Sequence, residues 1–323
     1  MSNPRWEGLA DLPVYDEFGY YVDNPQVPKT MIITSPTGKS WTEIASLNIM
    51  ALGRRSFLQG AYYHDGYWYL VQAKVISGSR EDIYIRRFRD AGSKTVAAYM
   101  DTMVLEGAGH GSIVGIRNRN GKPTIWLVWK SRGKIARVRY IPGTIKADNR
   151  GISWVSNVKS PGANCGLFED WLFTRRPRTI VGIKYEDWSL YRISDIESQA
   201  GLVKPINTAR VIFGGTFQGG AANGVYFTRL TGKTSRRKSG TWFRGKVKWD
   251  RAHKIVFYDW ATGKAVRSID VSDMGPRIAA NGALEPVTSK EPEGMQYRDG
   301  NWYAGFRLGS VNNRRFRIFR INP

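Results

Sequence analysis

Two stretches at opposite ends of the chain carry one pattern. Residues 59–70 read QGAYYHDGYWYL and residues 293–304 read EGMQYRDGNWYA. Gly60, Tyr63, Asp65, Gly66, Trp68 and Tyr69 correspond one for one to Gly294, Tyr297, Asp299, Gly300, Trp302 and Tyr303. An Asp-Gly pair between aromatic segments is a tight-turn signal joining two strands. Its recurrence points to an architecture of repeats, where each unit buries its faces against its neighbours rather than within itself.

Three further unit starts fit between these two. Gln59, His110, Cys165, Gln218 and Glu293 each precede a glycine, at intervals of about 51, 55, 53 and 75 residues. The long interval contains an insertion at 231–245, rich in Lys and Arg. Each unit reads as three or four short strands without a helix, separated by turn signals such as Asn120-Gly121, Asn223-Gly224 and Asp299-Gly300. Units of this length are propeller blades, so the pattern predicts an all-β, five-bladed β-propeller. A β-sandwich, single or double, is the alternative for strands of this kind, but it does not account for five similar starts. The last unit ends after about three strands. A hairpin signal at 31–44 can supply the missing one, which would close the ring and remove the open edges.

The 35 glycines and 41 aromatic residues of this 323-residue chain suit strands and turns. No apolar run approaches the ~20 residues of a membrane span. Residues 1–28 stand apart, with Glu7, Asp11, Asp16, Glu17 and Asp23 against one basic residue, Arg5. They read as an acidic arm that lies on the basic body or docks a neighbour; residues 29–323 form the propeller domain. The N-terminus lacks the basic-then-apolar pattern of a secretory signal. One cysteine, Cys165, excludes an internal disulfide framework and a cysteine-based zinc site. Gly38-Lys39-Ser40 resembles the end of a phosphate-binding loop, but Ile33 stands where that loop needs its first glycine.

The net charge is +22, from 49 Lys and Arg against 27 Asp and Glu. Such a surface attracts polyanions: nucleic acid, phosphate-bearing wall polymers or anionic membranes. The charge is dispersed through the strands, in runs such as Arg86, Arg87 and Arg89 or Arg314, Arg315 and Arg317, which suggests basic faces of a folded body.

Residues 103–112, MVLEGAGHGS, followed by an Asn-Gly turn and Ile125-Trp126, resemble the helveticin J-like proteins, a group that includes phage tail proteins labelled as teichoic acid related. Residues 59–72 and 82–92 resemble the same group, and the similarity is clearest over 50–135. The resemblance implies a five-bladed propeller and a receptor-binding role in small phages of Gram-positive bacteria. The +22 charge and the insertion at 231–245 depart from that group, so the resemblance does not carry the ligand.

If the five starts are equivalent, they head the innermost strands, which line the central channel of a propeller. Gln59, His110, Cys165, Gln218 and Glu293 would then ring one channel mouth and, chiefly through Gln59, His110, Gln218 and Glu293, hold either a polar ligand, such as a cation on Glu293 and His110, or ordered water. Arg175, Arg176 and Arg178 in one loop, and Lys233, Arg236, Arg237 and Lys238 in the insertion, are the candidate polyanion-binding groups. Three scattered histidines form neither a triad nor a His-rich metal site. Glu169-Asp170 and Glu186-Asp187 are neighbours on strands and point to opposite faces, unsuited to paired acid–base work. No catalytic group, metal or cofactor is expected. These features predict a phage tail adhesin of the virion that meets an anionic cell-wall polymer and other tail proteins. A helveticin-like bacteriocin, a nucleic-acid-binding propeller and a glycan hydrolase are the rivals.

Overall fold

The computed structural model describes residues 41–321, except 50–51, 53–55, 93–95, 110–112, 130–132, 147–150, 159–163, 181–182, 213–214, 234, 244–245, 250–251, 273, 275–288 and 311–312. The side chains of 113–114, 164, 235–249, 310 and 313 are also outside the description. The strands fall into five antiparallel sheets arranged as a five-bladed propeller. Blade I is β2 (Ser56–His64), β3 (Tyr67–Ser77), β4 (Arg80–Arg89) and β5 (Ala98–Glu106). Blade II is β6 (Ile113–Arg119), β7 (Lys122–Trp129), β8 (Lys134–Arg139) and β10 (Ile152–Val155). Between β8 and β10, β9 (Gly143–Lys146) leaves its own blade and pairs in parallel with β5. Blade III is β11 (Asn164–Phe168), β12 (Trp171–Ile180), β13 (Ile183–Arg192) and β14 (Asn207–Ile212). Blade IV is β15 (Phe217–Gly219), β16 (Tyr226–Thr231), β19 (Lys254–Asp259) and β20 (Ala265–Asp270). Blade V is β21 (Ser289–Arg298), β22 (Asn301–Ser310) and β23 (Asn313–Ile321).

Blade V takes its outermost strand from the other end of the chain. β1 (Trp41–Asn48) pairs antiparallel with β23, from Trp41 opposite Ile321 to Asn48 opposite Arg315. This is the expected ring closure; its first half, 31–33, lies outside the described residues, as do residues 1–28. The closure hides apolar surface as well as an edge. Ala45 and Leu47 of β1 are buried in one cluster with Trp68 and Leu70 of blade I and Phe316 of blade V.

The core is not one mass but five slabs, one between each pair of adjacent blades. Tyr69, Ile83 and Leu105 of blade I meet Ile125, Leu127 and Trp129 of blade II. Trp126 and Val128 of blade II meet Leu172 and Tyr191 of blade III. Phe173 and Trp188 of blade III meet Phe227 and Tyr258 of blade IV. Phe257 of blade IV packs edge-on against Trp302 of blade V, ring centroids 5.2 Å apart. The alternation of strand side chains produces this: each sheet is buried on both faces, so both parities of a strand are apolar where they meet a neighbour. Trp68, Trp126, Tyr226 and Trp302, the aromatics of the repeated hairpins, are all buried in these slabs.

The turn chemistry follows the repeat. Asp65-Gly66, Asn120-Gly121 and Asp299-Gly300 all take left-handed backbone, with φ of 46° and 79°, 51° and 69°, and 49° and 76°. That is the two-residue turn whose twist matches paired strands. In blade IV the Asn223 side chain instead accepts hydrogen bonds from the backbone N–H of Val225 and Tyr226.

Three expectations are corrected. A helix is present: α1 (Ile193–Ser198) joins β13 to β14 and buries Ile193 and Ile196, three residues apart, against the blade II–III slab. The insertion is a strand pair, β17 (Ser235–Phe243) and β18 (Lys246–Trp249), and β17 adds to the start of β21 through Ser235 and Arg236. Residues 175–178 are not a loop, and 179–185 are not a separate strand: β12 runs on to Ile180 and the chain turns back into β13 at Ile183. Pro177 is tolerated because β11 reaches only as far as Arg175, leaving the rest of β12 paired on one side.

The inner strands β2, β6, β11, β15 and β21 approach one another around the axis with glycine at the contacts. A Cβ on Gly219 would lie 2.6 Å from the Gly294 Cα, and one on Gly60 would lie 2.8 Å from the Glu293 carbonyl oxygen. Gly219→Ala is therefore expected to destabilise the fold by about 1–3 kcal/mol, the usual range for overpacking. Gly201→Ala, at a site with nothing within 4 Å, should change little; denaturant unfolding of both variants measures the difference.

Candidate functional site

Three of the predicted ring residues come together. Gln59, Gln218 and Glu293 line one cavity of about 180 Å³ at the end of the channel where the inner strands begin. The local reason is a β-bulge in each strand. Pairing registers slip between Leu58 and Gly60, between Phe217 and Gly219, and between Pro292 and Met295. A bulge inserts an extra residue and re-aims its side chain. Here the extra residue is the polar one, and the glycine after it permits the close strand contacts.

The second blade holds its bulge at another place. The slip in β6 lies between Ile113 and Gly115, so Val114-Gly115 is the counterpart of Gln59-Gly60. A Cβ on Gly115 would meet the Leu167 side chain at 2.7 Å. His110, the predicted member, is four residues earlier and lies outside the described residues. The signal was available: Gly60 and Gly294 each precede their Asp-Gly turn by five residues, and counting back five from Asn120 reaches Gly115. Cys165 is also not on the cavity. It is buried with Trp126, Val128 and Leu172 in the blade II–III slab, and burial pushes its thiol well above the usual range.

Residues without a sequence signal of their own complete the cavity: Phe57, Gln72, Glu291, Arg307 and Arg314. Arg307 donates from Nη2 to a Glu291 carboxylate oxygen across the β21–β22 pair. Arg86, buried behind the cavity, donates to the Gln72 side-chain oxygen. Burial first, and the Glu291 carboxylate second, hold the Glu293 carboxyl well above the ordinary carboxylate range, with Arg307 opposing. Burial and the nearby Arg307 disfavour the charge on Arg314. The cavity is thus lined by amides, one internal ion pair, the Arg314 guanidinium, and a carboxyl whose proton burial makes harder to release.

The basic residues divide into two groups. Arg175 is not a free cation. It is buried, and its Nη2 lies 2.7 Å from Glu186, which Arg229 also reaches at 3.1 Å. Glu186 is fully buried and accepts from the Trp188 indole as well. Alternation along β12 turns Arg175 toward blade IV, so this Arg-Glu-Arg set ties blade III to blade IV. Other arginines from the sequence runs are also paired with carboxylates: Arg87 with Asp101 and Arg317 with Glu43 inside their own blades, and Arg117 of blade II with Asp170 of blade III. The runs are therefore not simply basic faces, because part of their charge is taken up in ion pairs within and between blades.

The second group stands apart from the buried ties, with Arg176, Arg178 and Lys233 exposed. Arg176 and Arg178 lie on the exposed end of β12, Arg178 sharing Asp187 with Arg210 at 2.8 Å and 2.7 Å. Lys233 is exposed, and Arg236, Arg237 and Lys238 belong to β17. Inner strands run away from the cavity end and second strands return to it, so every connection from second to third strand lies at the cavity end. Those connections include the β12–β13 turn and the β17–β18 pair. The segments predicted to meet a polyanion thus share a face with the channel mouth.

Glu186 and Asp187 do point oppositely, toward Arg229 and Arg210. His64 bonds Asn118 at the far end of the blades, and the buried His253 ring bonds the Lys233 carbonyl. Among the described residues no group of three His, Cys, Asp or Glu could hold a metal, and no helix is long and apolar enough to cross a membrane.

The fold and the mouth define a five-bladed propeller with a polar axial cavity and, toward the same end, a rim that bears the exposed Arg176, Arg178 and Lys233. No protein-family model matches the chain, and no curated protein sequence does. Among solved structures the chain is similar to the tail fiber of Staphylococcus aureus phage P68, with a TM-score of 0.62 and 14% identity over 87% of this chain. The match spans 52% of the fiber chain, about half its length, and shows a shared fold. A subtype N10 neuraminidase-like protein of A/little yellow-shouldered bat/Guatemala/060/2010 matches at 9% identity over 85% of this chain and 80% of its own. The polysaccharide lyase Uly1 matches at 10% identity over 83% and 57%. Their TM-scores of 0.33 and 0.30 carry no argument about this chain.

Two measurements test this arrangement. Glu186→Ala leaves two buried guanidinium groups without their carboxylate and is expected to cost about 3–5 kcal/mol in denaturant unfolding. For Glu293, the unfolded chain releases its proton at a lower pH than the folded protein does. Between those pH values the folded state holds the extra proton, so stability falls as pH rises. Glu293→Gln should therefore raise the melting temperature at neutral pH, and the gap to the parent protein should close as pH falls through the ordinary carboxylate range.

Proposed function

We propose that this propeller is a non-catalytic adhesin module of a phage tail. It binds an anionic, phosphate-bearing cell-wall polymer of a Gram-positive host and assembles with other tail proteins in the virion. The observation that carries this reading is that the exposed Arg176, Arg178 and Lys233 of blades III and IV lie toward the end of the ring where the axial cavity opens. A polymer with regularly spaced charges meets several cations there at once, and the binding draws on counterion release rather than on any bond-making group. The fold shared with a phage tail fiber supports the tail assignment. The residues of helveticin-like appearance at 103–112 support it less, since no family model matches the chain.

The common two-carboxylate route of glycoside hydrolysis would need a pair of carboxyls free to act, and the two carboxyls on the cavity are Glu291 and Glu293. Glu291 is engaged by Arg307, which argues for recognition rather than hydrolysis. Incubation with purified wall polymer should leave its chain length unchanged.

Binding to isolated walls, to purified wall polymer and to DNA at a series of salt concentrations tests the proposal. Wall polymer should bind more tightly than DNA at ~0.15 M salt, with affinity falling steeply as salt rises. Arg176→Gln combined with Lys233→Gln should weaken wall binding several-fold and flatten the salt slope by roughly one unit for each cation taken away from a phosphate. Equal binding to DNA, or wall binding indifferent to salt, would overturn the reading, and killing of cells by the pure protein would replace it with a bacteriocin.

A further inference from the structure

The axial cavity differs from the basic rim in kind, and the rim does not explain it. Three separate strands each carry a bulge that places Gln59, Gln218 or Glu293 on it. Its volume is about 180 Å³. A single water needs about 10–15 Å³ of such space, so the cavity admits a ring-sized solute. Two of its charges cancel internally, since Glu291 and Arg307 are paired, and the Arg314 guanidinium is left to donate hydrogen bonds from its wall. At its edge stands Phe57, a large apolar side chain left 45% exposed. An exposed aromatic beside amides and a carboxyl suits a ligand with one apolar face and a hydroxylated edge. Planar amides accept and donate side by side, which matches neighbouring hydroxyls, and an aromatic ring covers the C–H face of a sugar.

We infer that this cavity is a carbohydrate subsite that takes one uncharged, polyhydroxylated ring, with Phe57 against the face of the ring and Gln59, Gln218 and Glu293 on its hydroxyls. The inference deepens the adhesin reading and rests on it for its setting: the rim would hold the charged backbone of the polymer, and the cavity would read a neutral sugar attached to it. Two kinds of recognition on one face would divide the work, with charge bringing the polymer in and hydrogen bonding selecting among polymers of equal charge.

The test uses the whole chain and simple probes. Saturation-transfer NMR is run with glucose, galactose, N-acetylglucosamine, glycerol and inorganic phosphate, each in the millimolar range expected of so small a ligand. At least one hexose should receive saturation, and inorganic phosphate should not displace it. Gln59→Ala and Gln218→Ala should each weaken that sugar about tenfold or more, and Phe57→Ala should do so without altering the melting temperature, because Phe57 is exposed. Phe57→Ala keeps the test decisive if a glutamine variant fails to fold. No saturation of any sugar, displacement by phosphate, or unchanged affinity in Phe57→Ala would overturn the subsite. Salt-sensitive wall binding with no sugar bound would remove the subsite and leave the adhesin; sugar binding without wall binding would do the reverse.

Discussion

Five sheets can surround one axis only if their innermost strands touch with almost nothing between them. The chain meets that constraint with glycine at the contact points. Gly219 lies against Gly294, Gly60 against the backbone of Glu293, and Gly115 against Leu167. Gly60 and Gly294 also take φ of 129° and 134°, a backbone that other residues adopt only under strain. Everything else about the molecule follows from that narrow axis. The blades fan outward, their faces are buried between neighbours, and the core divides into five slabs rather than one. A propeller of this kind gains its stability at blade contacts, which is why the aromatics of the repeat lie there.

The same constraint creates the site. A glycine that lets strands touch is preceded by an extra residue that the bulge turns toward the axis, and in three blades that residue is Gln or Glu. Packing and recognition are thus two uses of one short element. The cavity is polar because it is lined by bulge residues and by the β21–β22 pair that carries Glu291 and Arg307. Burial and a second carboxylate nearby raise the Glu293 carboxyl above the ordinary range, and the mouth presents hydrogen-bond donors and acceptors from amides, carboxyls and guanidinium groups.

Arginine has two physical roles in this chain. Its guanidinium makes flat, multiply bonded contacts with carboxylates and covers aromatic rings, so it serves between blades as well as at the surface. Arg298 lies 3.8 Å from the centroid of the Tyr63 ring, joining blades V and I, and Arg175 lies 3.7 Å from that of Phe217, joining III and IV. Part of a large positive charge is thereby taken up in internal ties. The part left exposed lies at both ends of the blades: Arg176 and Arg178 at the mouth end, where β12 outruns β11 beyond Arg175, and Arg89, Arg119 and Arg192 at the other.

The amino-acid sequence alone determined the repeat, the count of five blades and the closure by a strand from the start of the chain. Turn pairs, glycines and apolar alternation are local signals and survive without knowledge of the fold. It also marked Gln59, Gln218 and Glu293, because the residue before a repeated glycine is visible in the sequence. Tertiary structure alone decided which arginines are buried, since that depends on which face of a strand meets a neighbouring blade and how far that neighbour extends. The second bulge, at Val114 rather than His110, was legible too from the five-residue spacing of Gly115 to Asn120, and the pairing across the sheet fixes it there. Tertiary structure brought Phe57, Glu291, Arg307 and Arg314 to the cavity, as separate strands become neighbours only when the ring is closed.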